Sequence, residues 1–252
     1  MTPSDLAREL LRPFTDSVLL IAIGVFGAAL WLSLVIMQSG PLLVIFGLFI
    51  ALLVLGTLFR YAVQVLECRA QGLRTPVVDI DAVSLFGNLW TLSPLLLVIA
   101  FVWGALYLNG TGNPGAAIAV SVLLALLLPA STGVLAITHS PLESIKPSAI
   151  YRLIERCGAG YAWIPIVIAA LLLASAGMAR AGAPLLPIVL LRTYVIILLF
   201  TLTGEVVRRS GVFGEVSVGT PQAGSEPDYH HELTADRRKV ADHAYGFISR
   251  GN

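Results

Sequence analysis

Charged side chains are scarce in this chain. Asp, Glu, Lys and Arg make up 12% of its 252 residues, where soluble domains carry about 25%. Hydrophobic residues make up 57%, and the mean hydropathy is +0.86. A soluble core of this size could not bury so much apolar surface, whereas a bilayer can surround it. The net charge of +1 shows no basic excess, so we expect membrane lipids as partners and no nucleic acid.

Cysteine and the motifs of known enzymes are scarce or missing as well. Cys68 and Cys157 are the only cysteines, and both fall in segments predicted to face the reducing cytoplasm, so a disulfide is the less favoured alternative. The sequence contains no HExxH, no Gly-x-Ser-x-Gly, no glycine-rich phosphate loop and no pair of carboxylates within a span. We therefore expect no enzyme, no cofactor and no metal site.

Six long apolar runs are present instead. Each has about 20 residues, enough to cross a hydrocarbon core of about 30 Å at 1.5 Å per residue. The sequence predicts an all-α, polytopic membrane helix bundle with cytoplasmic surface helices. The predicted spans are residues 17–38, 41–61, 90–108, 116–138, 161–178 and 184–207, the second continuing into water as an amphipathic extension. Together they form a membrane domain, 17–209, followed by a linker and a short helical tail in 210–252.

Amphipathic stretches flank or separate these spans. A surface helix is predicted within residues 1–16, with Leu6, Leu10 and Phe14 toward lipid and Arg8, Glu9 and Arg12 toward water. A stronger one lies in residues 139–161, where Ile150, Leu153, Ile154 and Cys157 share one helical face. The opposite face carries the candidate docking residues Arg152, Glu155 and Arg156. A weaker counterpart is predicted near residues 60–90.

The basic residues are unevenly distributed among the loops. With both termini in the cytoplasm, fourteen of the sixteen Lys and Arg residues fall in cytoplasmic segments. The two exceptions are Arg180, in an outer loop, and Arg192, within a span. The positive-inside rule therefore favours six spans in the inner membrane of the cell with both ends inside.

Arg192 is the sharpest candidate for an intramembrane site. It lies about eight residues into the sixth span, roughly 12 Å below the outer end. A charge at that depth is costly and marks a functional site by default, but snorkelling toward the headgroups is the alternative. Its candidate polar neighbours are Ser131, Thr132, Thr193 and Thr201, and Pro129 predicts a kink in the fourth span. Glu205 lies near the inner end of the sixth span, next to Arg208, and is expected to pair one turn on, with a proton or cation ligand as the alternative.

Two segments carry a family resemblance. Residues 140–161, SPLESIKPSAIYRLIERCGAGY, follow the proline-containing span, and residues 61–76 read YAVQVLECRAQGLRTP. These segments resemble uncharacterised prokaryotic polytopic membrane-protein families, in which Pro-containing cytoplasmic surface helices separate the spans. The resemblance implies a fold of paired spans. It implies no activity and no catalytic residues.

Two functional hypotheses follow. The leading one is a non-enzymatic scaffold or accessory subunit of the inner membrane, which docks a protein of the membrane or cytoplasm through its surface helices and tail. The alternative is a small transporter, channel or lipid-handling protein that uses Arg192 and the kink at Pro129. Convergence of Arg192 and the four hydroxyl side chains on one polar cavity would favour the alternative.

Overall fold

A computed structural model of the chain describes residues 3–76 and 89–211, which lie within one compact unit. Their helices are α1 (Pro3–Thr15), α2 (Ser17–Gln38), α3 (Pro41–Ala70), α4 (Ser93–Gly110), α5 (Pro114–Thr138), α6 (Pro141–Ile145), α7 (Pro147–Cys157), α8 (Ala159–Arg180) and α9 (Leu185–Ser210), with a 3-10 turn at Leu89–Leu92. In this part of the chain there is no strand, and α2, α3, α4, α5, α8 and α9 are long and apolar enough to span a membrane. The protein is a multi-pass, all-α membrane bundle, as the sequence predicts.

The spans begin and end within three residues of the predicted bounds, apart from the end of α3. This helix continues to Ala70 as one element of 30 residues. Its last turns are not a solvated extension, because Tyr61, Leu66 and Arg69 are buried where α2 and α9 pack against α3. Residues 60–70 of the predicted weaker surface segment belong to α3. Its residues 77–88 and the predicted tail helix, within 212–252, lie outside the described residues.

Local sequence signals explain where the helices begin. The Asp16 carboxylate accepts a hydrogen bond from the Val18 N–H at 3.1 Å and so caps α2. Pro41, Pro114 and Pro147 occupy the first positions of their helices, where the missing N–H costs nothing. Gly158, with a φ of 56°, separates α7 from α8, a backbone conformation that side chains disfavour.

The sixth span, α9, is the centre of the bundle. It packs against α1, α2, α3, α5, α7 and α8. Of the residues in its most apolar stretch 61% are buried, compared with 11% for α4. The approach to α3 is closest at Gly204, where a Cβ atom would lie 2.7 Å from the Leu66 carbonyl oxygen. A glycine is therefore required at this crossing.

The predicted orientation of α1 is wrong in part. Leu6 and Leu10 pack against the hydrophobic core, not toward lipid, and Glu9 is only 4% exposed. The Tyr194 hydroxyl of α9 donates a hydrogen bond to the Leu10 carbonyl at 2.7 Å, and the Phe14 and Tyr194 rings lie 5.3 Å apart. The helix is thus fixed against α9, because its apolar face buries more completely there than at a lipid surface.

One end of the bundle holds most of the ionic contacts, and we call it the charged end. It is defined by Asp16, Ala70, Thr138, Ala159 and Ser210, and the other end is called the neutral end. The α7 helix packs across the charged end, with Ile150 and Leu153 buried against α5 and α9. Arg152, Glu155 and Arg156 are exposed on its opposite side, as their spacing predicts.

Candidate functional site

Arg192 is exposed on the side of α9 and makes no ion pair or hydrogen bond with any described residue. The four hydroxyl side chains do not join it. Thr193 and Thr201 are fully buried and donate to carbonyls one turn back in α9, at 3.0 and 2.8 Å. Thr132 donates to the Pro129 carbonyl at 2.9 Å, and Ser131 is buried in α5. The structure therefore does not place these five residues on one polar cavity.

Arg192 instead lines a chamber of about 720 Å³ between α3, α4, α5, α8 and α9. Every other residue around this chamber is aliphatic or aromatic, including Phe59, Val98, Trp103 and Leu199. The space is of the size that small-molecule pockets have in proteins. An apolar volume with a single guanidinium suits a ligand with a long apolar part and one anionic group.

The lining of the chamber extends along the spans. Along α4 it runs from Leu95 to Leu106, about 16 Å at 1.5 Å per residue. This is close to half of the hydrocarbon core of about 30 Å, the depth of one leaflet. On α9 the other lining residues, from Val195 to Phe200, all lie nearer the charged end than Arg192 does. On this helix, Arg192 is therefore the lining residue nearest the neutral end.

The loose packing of α4 makes the chamber accessible. This helix is the least buried of the six spans, and its principal neighbour is α5. Three of the side chains with which it lines the chamber also contact the surroundings: Val102, Trp103 and Leu106 are 45%, 72% and 65% exposed. In a bilayer the surroundings at this level are acyl chains. The α4 wall of the chamber is therefore exposed laterally to the surroundings.

The helix that forms one wall of the chamber, α5, has a side chain of a neighbouring helix bonded to its backbone next to Pro129. The Tyr161 hydroxyl accepts a hydrogen bond from the Ala130 N–H at 3.2 Å and donates one to the Leu126 carbonyl. In a regular α-helix those two backbone groups would bond directly, four residues apart. The Tyr161 hydroxyl thus bridges an N–H and a carbonyl of α5 that are regular hydrogen-bond partners. The kink at Pro129 stays a prediction. Leu128, within this segment, lines the chamber.

Two further groups of charged residues lie at the charged end. The expected pairing of Glu205 is confirmed: this 2% exposed carboxylate accepts hydrogen bonds from Arg208 at 2.7 and 2.9 Å and from Arg209 at 2.7 Å. Sequence reasoning missed the second group, the buried Arg69 with its partner Asp16. Among the described residues, no group of three or more His, Cys, Asp or Glu could hold a metal ion.

Comparisons with known proteins give no family: no protein-family model, no curated protein and no solved structure matches the chain. The resemblance to uncharacterised prokaryotic membrane families therefore stays a prediction. The argument for function rests on the site itself.

Proposed function

We propose that the protein is a non-enzymatic lipid-binding protein that holds an acyl chain of a phospholipid in the chamber, with the lipid phosphate on Arg192. The observation that carries the proposal is the single arginine in the lining of an otherwise apolar, leaflet-deep chamber. Of the transporter, channel and lipid-handling alternatives, lipid handling is the one with support. The hydroxyl side chains that a polar pathway would need do not line this space.

The physical case depends on Arg192 more than on the apolar walls. Acyl chains are as apolar as the chamber, so moving one from bulk lipid into the chamber gains little free energy. A guanidinium inside a span costs about 2.5–3.5 kcal/mol even on the mildest scale, and Arg192 has no partner among the described residues. A phosphate offsets that cost through two parallel hydrogen bonds to the planar guanidinium. Selectivity should therefore follow the anionic group of the lipid.

We further propose the orientation and the membrane. The charged end carries Arg12, Arg69, Arg74, Arg208 and Arg209; the positive-inside rule assigns it to the cytoplasm and the protein to the inner membrane. Arg192 then lies in the outer half of the bilayer. A reporter fused at Asn113, in the loop between α4 and α5, should be active only outside the cytoplasm. Cytoplasmic activity at that position would overturn the orientation.

Lipid retention tests the proposed site. The wild-type protein and the variants Arg192→Gln and Val98→Trp would be purified in mild detergent, and bound phospholipid would be measured by native mass spectrometry. Val98→Trp fills the chamber without removing the charge. Both variants should retain about tenfold less phospholipid, since a hydrogen bond to a charged group contributes about 1.5–3 kcal/mol.

Two matched controls define the result. Arg180→Gln removes a basic residue at the neutral end, and Ile166→Trp adds a bulky side chain at an exposed apolar position. Neither residue lines the chamber, so both variants should retain lipid as the wild type does. Equal retention by all five proteins would contradict the proposal.

A scaffold role is the second candidate, and the exposed face of α7 favours it. The apolar side of this helix is fixed in the core, so Arg152 and Glu155 are presented in a defined orientation at the charged end. If this face docks a protein, the complex extracted in mild detergent should exceed the mass of the chain with its lipid, and Arg152→Glu should reduce that mass. A wild-type mass equal to the chain with lipid alone would contradict the scaffold role.

A further inference from the structure

A second pocket lies at the charged end, remote from the chamber. It has a volume of about 360 Å³ and is formed by α1, the start of α2, the end of α3 and the segment 71–76. We call it the arginine pocket, since its polar lining consists of Arg12, Asp16, Arg69, Arg74 and Thr75. No residue of this pocket lines the chamber.

The arginine pocket is held in shape by a buried ion pair. The Arg69 Nη2 atom lies 3.1 Å from the Thr75 hydroxyl and 3.4 Å from Asp16 Oδ2. Thr75 also donates to the same Asp16 oxygen, and the other oxygen of Asp16 caps α2. The Tyr61 hydroxyl donates to the Pro76 carbonyl at 3.3 Å. Hydrogen bonds therefore hold segment 71–76 at the Thr75 side chain and at the Pro76 carbonyl, so the walls of the arginine pocket are preorganised.

The charges around the arginine pocket do not balance. Asp16 is fully engaged by Arg69, Thr75 and the α2 backbone, and Glu9 accepts from Arg12 at 2.8 Å. Glu205 is occupied by two further arginines. Around the pocket itself, Arg12, Arg69 and Arg74 thus face Asp16 and Glu9, an excess of one positive charge. Arg74 is exposed and makes no ion pair or hydrogen bond with a described residue.

The buried Arg69 also has a hydrogen-bond donor that no described residue uses. Arg69 is 5% exposed, and its Nε atom makes no hydrogen bond in the described part of the chain. Leaving such a buried donor unpaired is costly. A dianionic group in the pocket would offset the excess positive charge around Arg69. Its hydrogen bonds would come mainly from Arg74 and Arg12, whose donors are more accessible. Native sites of this kind usually hold a ligand or ordered water.

We propose that the arginine pocket binds a phosphate group. Planar guanidinium groups bind two phosphate oxygens at once, and basic residues at a membrane surface attract anionic headgroups. The phosphate has two sources, the headgroup of an anionic lipid in the leaflet next to the charged end or a soluble phosphate. The experiment below separates them.

Thermal unfolding with two probes tests the proposal. One arm adds inorganic phosphate to the delipidated protein in detergent, against chloride at equal ionic strength. The other compares nanodiscs of phosphatidylcholine with nanodiscs that also contain phosphatidic acid. The wild type should be stabilised in at least one arm. Stabilisation by phosphatidic acid alone would identify the ligand as a lipid headgroup, and stabilisation by inorganic phosphate would identify it as a soluble phosphate.

The variant to compare is Arg74→Gln, which should fold normally because Arg74 has no partner among the described residues. It should bind about tenfold more weakly, as the loss of one charged hydrogen-bonding group predicts. Arg152→Gln is the matched control, an exposed arginine at the same end outside the pocket, and it should respond as the wild type does. All comparisons are repeated in the Arg192→Gln background, so that phosphate bound in the chamber does not contribute to the response. No stabilisation of the wild type in either arm, or equal weakening of Arg74→Gln and Arg152→Gln, would overturn the proposal.

Discussion

The Tyr161 hydroxyl accepts a hydrogen bond from the Ala130 N–H at 3.2 Å, and so it links the start of α8 to the middle of α5. Both residues are buried. The same hydroxyl donates to Leu126, whose carbonyl is the regular partner of that N–H. The backbone groups of α5 next to Pro129 are thus hydrogen-bonded by a side chain of the neighbouring helix.

Removing this hydroxyl should destabilise the bundle. Tyr161→Phe leaves a buried N–H and a buried carbonyl without their partner, at a cost of about 1–3 kcal/mol in the free energy of unfolding. Unfolding in mixed micelles measures it. Tyr151→Phe, at an exposed tyrosine of α7, should change the free energy by less than about 0.5 kcal/mol.

A double-mutant cycle makes the mechanism specific. In Pro129→Ala the helix can close its regular ladder, so Ala130 regains Leu126 as a partner. The cost of Tyr161→Phe should then fall by about 1 kcal/mol or more in the Pro129→Ala background. An equal cost in both backgrounds would mean that the tyrosine acts by packing alone.

The crossing of α3 and α9 should not tolerate a methyl group. In Gly204→Ala the new Cβ would lie 2.7 Å from both the Leu66 carbonyl oxygen and the Arg69 Cβ, and overpacking of this kind costs about 1–3 kcal/mol. The matched control is Gly177→Ala in α8, where nothing lies within 4 Å of the Cβ position. There alanine should be neutral or stabilising by up to about 1 kcal/mol. Similar stabilities of the two variants would contradict the close crossing.

The buried pair of Asp16 and Arg69 should contribute far more than an exposed pair. Asp16→Asn retains a side chain that can cap α2 but leaves the charge of Arg69 without its partner, which costs about 3–5 kcal/mol in buried sites. Because the Asp16 side chain is 24% exposed, we expect the lower end of this range. Glu143→Gln breaks the exposed pair with Lys146 and should cost less than about 1 kcal/mol. Both values come from unfolding in mixed micelles.

Burial raises the pKa of the Cys157 thiol, although a hydrogen bond with Ser210 lowers it in part. Only the thiolate reacts with alkylating reagents, so the folded protein holds less reactive sulfur at a given pH than the unfolded chain. In a Cys68→Ala background, alkylation of Cys157 should be slower in the folded state, and its rate should still rise at pH values where the unfolded chain has levelled off. Coincident pH profiles would show that burial does not control this thiol.

The spans were predictable because lipid imposes a simple requirement of length and hydrophobicity. The runs that become α2 and α8 carry no charge until their ends, so their bounds follow from composition. The face of α7 was predictable for a similar reason, since Ile150 and Leu153 recur at helical spacing and are buried. These features depend on residues that are close in sequence.

The sites were harder to predict because their parts are distant in sequence. Asp16 and Arg69 are separated by 53 positions, and each alone is typical of the charged flank of a span. Tyr161 bonds to α5 at Ala130, 31 positions earlier in the chain. The chamber arises from the loose packing of α4, for which no local pattern exists. Arg192 was recognised only because a charge within a span is rare.

The central position of α9 has a consequence for biogenesis. Spans enter the membrane in chain order, and α9 is the sixth of the described spans, yet it packs against α2, α3, α5 and α8. The pairs α2–α3 and α4–α5 can pack as soon as both of their helices are in the bilayer, but the two pairs lack a common partner until α9 is made. The interior of this protein therefore closes only when α9 arrives.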